Sequence, residues 1–382
     1  PRLHADTCHG EEGPERSVGG GQELRSFVGL DIGGANLKAA LLEVRDCQIT
    51  DCKTIVKFFP IWREGKENLS QAIKTLRVEL GGSRLPYALG LAMTAELSDA
   101  FFTKREGVSH VLNSVEEGFP DATFRVLDDT ATLLTLADAR KEPYRVAAAN
   151  WPATGWLASQ FFENCIVVDV GSTTTSIIPV IQGTIVAEGR SDFDKLANGE
   201  LVYTGCLRTN VATVVNSLPL KGRVRSLASE LFALSGDIHL ILGNIREADY
   251  STETADGRGR SRREALGRLA RAVCADVETL TEPEIEEMAR YIYEKQVERI
   301  GAGMELVRHR IIEKYRKDVP IVVTGLGRDF LAKRAADRIG CETVLDLSDY
   351  LGAGAALAST SVGVAWMVAT ALEGRSVSWK RS

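Results

Sequence analysis

Cysteine and histidine are scarce in this 382-residue chain, and the sites they fail to form are the first constraint. The seven cysteines (Cys8, Cys47, Cys52, Cys165, Cys206, Cys274, Cys341) are odd in number and nowhere spaced as Cys-x-x-Cys. That excludes a disulfide framework and a zinc cage, and fits a reducing compartment. Positive charge is not in excess either. Lys+Arg number 46 against 52 Asp+Glu, a net charge of −6, with no Lys/Arg-dense block. A nucleic-acid binder carries a basic field, so nucleic acid is not an expected partner. With 44% apolar and 26% charged residues the composition excludes a disordered or fibrous chain, and the length suggests two domains.

Long hydrophobic runs are absent with one exception. The segment 350–372 holds 23 residues without a charge, long enough to cross a bilayer. Its Gly, Ala, Ser and Thr content lacks the Leu/Ile/Phe density that insertion needs. A buried helix is expected there, and a membrane is not. No signal-peptide pattern opens the sequence, so a cytoplasmic location is the expectation. Residues 1–25 are rich in Gly, Glu and Arg without an apolar period and read as a disordered tail, in which His4, Cys8 and His9 make no convincing ligand set.

Against these absences stands one repeated unit. Phe27-Val28-Gly29-Leu30 reads as a buried strand ending at Asp31, followed by Ile32-Gly33-Gly34-Ala35-Asn36 and a second strand through Leu37, Ala39 and Leu41. Ile166-Val167-Val168-Asp169-Val170-Gly171 repeats it, with Ser172, Thr173, Thr174 and Thr175 at the turn. Asp31 aligns with Asp169 and Gly33 with Gly171, an offset of 138 residues. Two related α/β lobes, each opening on a hairpin, follow from that repeat. A third glycine element, Thr324-Gly325-Leu326-Gly327, follows the strand Ile321-Val322-Val323. Thr281-Glu282-Pro283-Glu284 is a capping box ahead of a long helix that continues to the break at Pro320, and the polar segment 250–263 reads as a mobile loop.

A glycine turn after a strand lets backbone N–H groups approach phosphate oxygens. A strand-end aspartate in each lobe can hold a divalent ion facing those phosphates. This makes Asp31 and Asp169 candidate metal ligands. Gly33, Gly34, Asn36, Lys38, Gly171, Ser172, Thr173, Thr174, Gly325 and Gly327 are candidate phosphate contacts. Thr94, Glu96 and Asp99 follow the apolar run 87–93, at a strand end where α/β proteins bind ligands. Lys104 and Arg105 suit a diphosphate or carboxylate, or simply solvent. Asp128 and Asp129 end the strand 124–127, where one can be a general base and the other a helix cap. Asp256-Gly257 has turn character, and His110, His239 and His309 read as packed.

These motifs resemble the two phosphate loops and the adenosine loop of the actin, Hsp70 and sugar-kinase superfamily. The resemblance covers residues 26–372 and implies an α/β fold of two ribonuclease-H-like lobes around a central cleft. By it, 26–160 form the first lobe, 161–349 the second, and 350–372 return to the first. The stretches 93–99 and 103–108 look like the hydantoinase/oxoprolinase branch. Gly199-Glu200-Leu201-Val202-Tyr203-Thr204-Gly205 and Thr254-Ala255-Asp256-Gly257-Arg258 look more particularly like the tetrahydromethanopterin-linked one-carbon transfer group, which includes the methanofuran-biosynthesis synthase. That likeness makes Asp256 and Arg258 candidate substrate contacts. It implies a transferase joining an aminomethylfuran-methyl diphosphate to the phenol of γ-glutamyltyramine, with release of pyrophosphate and with Mg²⁺ or a similar cation. Kinases of the superfamily carry Thr or Ser where this chain has Ala35-Asn36, so ATP stays open as a cofactor. The rival classes are an ATP-dependent ring-opening hydrolase or small-molecule kinase, and a non-catalytic actin-like or sensor ATPase. Homo-oligomerisation also stays open.

Overall fold

In the computed structural model, which describes residues 24–81 and 86–380, the two hairpins seed two separate sheets. β1 (Arg25–Ile32), β2 (Asn36–Arg45) and β3 (Gln48–Phe58) form an antiparallel meander. β4 (Ala88–Met93) and β5 (Phe124–Leu127) extend it parallel to β1, and β6 (Leu133–Leu134) closes that edge. The second sheet repeats the plan. β7 (Cys165–Val170) and β8 (Thr175–Ile181) form the hairpin, and β9 (Thr184–Ile185) and β10 (Leu201–Val202) flank β8. An insertion bearing the hairpin β11 (Ser217–Leu220) and β12 (Arg223–Ser226) follows. β13 (Ile321–Gly325) and β14 (Val344–Asp346) then add in parallel beside β7. β15 (Ser378–Trp379) returns to the first sheet beside β3. The tail expected at the start lies outside the described residues except for Leu24 and Arg25, and Arg25 already belongs to β1.

The central strands of each sheet are buried on both faces, which is why they read as near-continuous apolar runs. Along β7, Ile166, Val168 and Val170 pack with Val297, Ile300 and Met304 of the helix Glu282–Tyr315, while Cys165 and Val167 face the other way. Along β1, Val28, Leu30 and Ile32 pack under the helices Leu69–Gly81 and Lys104–Gly118, while Phe27 joins the core that also holds Cys165 and Val167. Side chains alternate along a strand. Gly29 and Asp31 therefore share the inner side of β1 with Phe27, and Asp169 shares the inner side of β7 with Val167. The repeat turns its two aspartates toward one shared core.

Helix Ser359–Glu373 lies in that core against β1, β2 and β4, and faces helix Trp151–Ser159. Its approach is possible because a side chain is missing opposite it. A Cβ on Gly29 would meet Ala365 Cβ at 2.9 Å, and one on Gly90 would meet the Val364 carbonyl oxygen at 2.8 Å. The single helix expected over 350–372 is instead three pieces, Ser348–Leu351, Ala353–Leu357 and Ser359–Glu373. The first break falls at Gly352, whose φ of 81° no helix accommodates. Among the described residues no helix is long and apolar enough to cross a membrane.

The insertion between β10 and β13 has its own core of Ile238, Tyr250, Leu266, Leu269 and Met288. It also corrects the expectation for 250–263. Arg268, fully buried, ion-pairs with Asp237 at 2.8 Å and reaches Asp256 at 3.2 Å and the Gly259 carbonyl at 3.0 Å. A desolvated guanidinium must keep its partners, so it pins the polar segment rather than leaving it mobile.

Candidate active site

The β1–β2 register places Lys38 directly across from Asp31, and cross-strand neighbours share a face. Lys38 Nζ stands 3.4 Å from Asp31 Oδ2. Burial opposes its charge, but Asp31 and Asp169 together outweigh that and raise its pKa above the usual lysine value. Asp169 is pushed up by burial and by the Asp31 charge, with Lys38 and Ser359 pulling the other way. The two strand-end aspartates therefore meet around one ammonium. Asp31 Oδ1 is buried without a hydrogen-bond partner, and Asp169 Oδ2 accepts a long 3.5 Å bond from Ser359, with the Thr154 hydroxyl as a further partner of that carboxylate. Two under-coordinated carboxylates fit a hard divalent cation that takes its remaining ligands from phosphate and water.

The glycine turns converge on the same place. Gly33 N–H donates to the Asn36 carbonyl at 3.0 Å, and Gly171 N–H to the Thr174 carbonyl at 2.9 Å. Asn36 Nδ2 donates to Ser172 Oγ at 3.2 Å, so the two turns touch across the cleft. The third element packs onto the second. Gly325 has a φ of 84° and abuts Asp169 and the Val170 backbone, and Gly327 N–H donates to the Val170 carbonyl at 3.0 Å. Both of its glycines thus have a packing reason to be glycine.

A second cluster lies beside the first turn. Thr94 N–H donates to the Ile32 carbonyl at 2.9 Å, and two residues on, Glu96 is 1% exposed with neither carboxylate oxygen bonded. Burial pushes its pKa up to about 7, against the pull of its own amide and of Lys104, with Asp192 adding to the rise. From the second lobe comes Lys195, 1% exposed, its Nζ unbonded and 4.1 Å from the Trp151 ring centroid. Burial pulls it down to about 7, although Asp192 and Glu200 resist. Sequence reasoning found Glu96 and Lys104 but missed Lys195, Asp192 and Trp151, which meet only in three dimensions.

Glu96 has a titration consequence. Its folded pKa lies above the ordinary glutamate value of 4.5, so its contribution is intact at low pH and is lost as pH rises through about 7. Glu96→Gln is therefore expected to stabilise the chain relative to wild type near pH 8, by up to about 3 kcal/mol, and to leave it little changed near pH 4. Urea unfolding at the two pH values reads the difference.

The other expected site residues divide. Asp129 stays a candidate base. Burial and its neighbour Asp128 raise its pKa, Arg190 and Arg145 oppose them, and its Oδ1 has no partner. Asp128 is a correction. Its Oδ1 accepts from Thr130 N–H, Thr130 Oγ1 and Thr132 N–H, and its Oδ2 pairs with Arg145, so this fully buried carboxylate is committed to its own turn and to Arg145 rather than to a substrate. Asp256 is a second correction, since its carboxylate is committed to Arg268 and Arg271. Arg258 points to solvent at 72% side-chain exposure. Asp99 is exposed, and Arg105 is exposed and lies 5.3 Å over the Tyr144 ring. His239 is packed as expected, bonded to Gln296 and Asn244.

The Hydantoinase/oxoprolinase family model matches residues 88–366. The chain belongs to this family. Within it, the (4-{4-[2-(gamma-L-glutamylamino)ethyl]phenoxymethyl}furan-2-yl)methanamine synthase of Methanocaldococcus jannaschii is 35% identical over 348 residues, covering 91% of this chain and 98% of the relative. A protein of the same name from Methanococcus vannielii is 33% identical over 215 residues, covering 56% of this chain and 94% of the relative. The solved nucleotide-free structure of an acetone carboxylase superposes with a TM-score of 0.52 at 10% identity, over 90% of this chain and 70% of that one. That likeness shows the fold, the two-lobed actin-like architecture, and nothing of the chemistry. In this hydantoinase/oxoprolinase member Asp31, Lys38 and Asp169 meet at the paired glycine turns, while Glu96 and Lys195 are two further buried charges that each feel Asp192.

Proposed function

We propose that this chain is a transferase that joins an aminomethylfuran-methyl diphosphate to the phenol of γ-glutamyltyramine and releases pyrophosphate. The observation that carries this reading is the match to the M. jannaschii synthase, which spans 98% of that protein. The site chemistry agrees with it. The bond from the furanylmethyl carbon to the diphosphate oxygen breaks with its electron pair leaving on oxygen, and the phenol oxygen forms the new bond. Negative charge then grows on the diphosphate, where Lys38 and the backbone donors of the glycine turns face it. Asp31 and Asp169 would hold a Mg²⁺ ion, which when bound supplies further charge neutralisation to the leaving group. A phenol has a pKa of about 10, so its proton needs an acceptor, and Asp129 offers an unbonded oxygen for it. The substrates are small and charged, and the reaction is a cytoplasmic one.

The test is pyrophosphate release from the diphosphate and phenolic amine by the purified chain, with the ether product followed by mass spectrometry. The expected result is one pyrophosphate per ether without added nucleotide. Turnover that requires ATP and yields ADP and phosphate would overturn the reading in favour of a hydrolase or kinase.

A further inference from the structure

We propose that Arg208 binds the departing diphosphate and that Trp62, from the opposite lobe, closes over it as one half of a clamp. This inference rests on the diphosphate chemistry argued above. It begins from a cation without a counter-charge.

Arg208 is half-buried, and burial pulls its pKa below the usual arginine value, with only the Tyr203 hydroxyl acting against it. Among the described residues no carboxylate pairs with it; its side chain donates to Thr173 Oγ1 at 3.1 Å. Guanidinium groups withdrawn from water normally keep an anionic partner. Here its side-chain hydrogen bond goes to a hydroxyl of the second phosphate turn rather than to a carboxylate.

The backbone explains why the guanidinium stands there. Cys206 N–H donates to the Gly171 carbonyl at 2.9 Å, and Leu207 and Arg208 N–H donate to the Ser172 carbonyl at 2.9 and 3.0 Å. A Cβ on Gly205 would fall 2.6 Å from Thr173 N, so the strap can lie this close to the turn only with glycine there. Arg208 is thereby fixed to the second turn.

Trp62 is fixed to the first turn by the same means. Phe59 N–H donates to the Ala35 carbonyl at 2.9 Å and Ile61 N–H to the Gly34 carbonyl at 3.0 Å. From that anchor the Trp62 ring reaches Arg208, with the guanidinium carbon 4.4 Å from the ring centroid. Next to it, Arg63 ion-pairs with Glu253 of the second lobe. A planar guanidinium can stack one face on an aromatic ring and still direct its N–H edge at phosphate oxygens. The contact therefore closes the lobes over both turns while leaving Arg208 donors free for a diphosphate. Trp62 remains 37% exposed, so one side of the clamp is open to solvent.

The probe is inorganic pyrophosphate with Mg²⁺, titrated calorimetrically into the full chain. Arg208→Gln is expected to weaken pyrophosphate binding about 10- to 100-fold, the range for loss of a charge-assisted contact. Arg208→Lys keeps the charge without the fork and is expected to fall between the two. Binding should also perturb Trp62 fluorescence, a signal that Trp62→Phe removes while the protein melts normally. Wild-type-like pyrophosphate affinity in folded Arg208→Gln overturns the clamp while leaving the transferase reading standing. Failure of the wild-type chain to bind pyrophosphate, with ATP binding in its place, instead removes the transferase reading and the clamp with it.

Discussion

Asparagine at position 31 or 169 is expected to abolish pyrophosphate release, with a loss of about 10³-fold or more in turnover. The loss is electrostatic in origin. Lys38 is held charged by two carboxylates in a buried setting, and removing either leaves it with a single anionic neighbour. It also removes half of the carboxylate pair that would hold a cation against the leaving group. Loss of one preorganised partner for developing charge typically costs about 10²- to 10³-fold, and here two functions are lost together. Raising the pH should not restore activity, because the missing charge does not belong to the nucleophile.

Asp129→Asn serves as the contrast. A phenol with a pKa of about 10 is ionised in roughly one molecule per thousand at neutral pH. Loss of the base should therefore slow turnover less than loss of Asp31 or Asp169, and alkaline pH should recover part of it as phenolate accumulates. A pH–rate series on the three variants separates leaving-group stabilisation from proton removal. Equal, pH-independent losses in all three would refute the assignment of roles.

The paired aspartates were legible in the sequence because everything that places them is local. Period-two alternation puts Asp31 on the inner face after Phe27 and Gly29, and the glycine turn that follows has few other conformational uses. Arg208 and Trp62 were not legible. Each lies in an ordinary loop or single helical turn, and their meeting depends on how two hairpins dock. Asp128 looks like a base in sequence, since a strand-end Asp before Thr130 and Thr132 reads the same whether it binds substrate or caps its own turn. The segment 250–263 has a loop's composition, and the residue that pins it, Arg268, belongs to a helix further on. Small residues in 350–372 signalled close packing correctly, while the break at Gly352 needed its backbone angle.

Lys195→Met is expected to make the folded chain more stable, by several kcal/mol at neutral pH and below. A lysine whose pKa falls from 10.5 to about 7 carries a folding cost of about 5 kcal/mol when both states are protonated, at about 1.4 kcal/mol per pKa unit. The sign follows from proton binding. Between about pH 7 and 10.5 the unfolded chain holds the proton and the folded chain does not, so wild-type stability rises with pH across that window. The cost is therefore complete below about pH 7 and gone above about 10.5. Methionine matches the length of the stem and can lie on the Trp151 ring without a charge to desolvate. The difference in unfolding free energy between wild type and Lys195→Met should be widest near pH 6 and should shrink by about 1.4 kcal/mol per unit toward pH 10. A gap that stays constant with pH would mean that Lys195 keeps its proton in the fold, through a closer pairing with Asp192 or Glu200 than the unbonded Nζ displays. A buried amine that costs the fold this much, with Asp192 as a neighbouring charge it shares with the buried Glu96, is the kind of local expense that proteins retain at working sites.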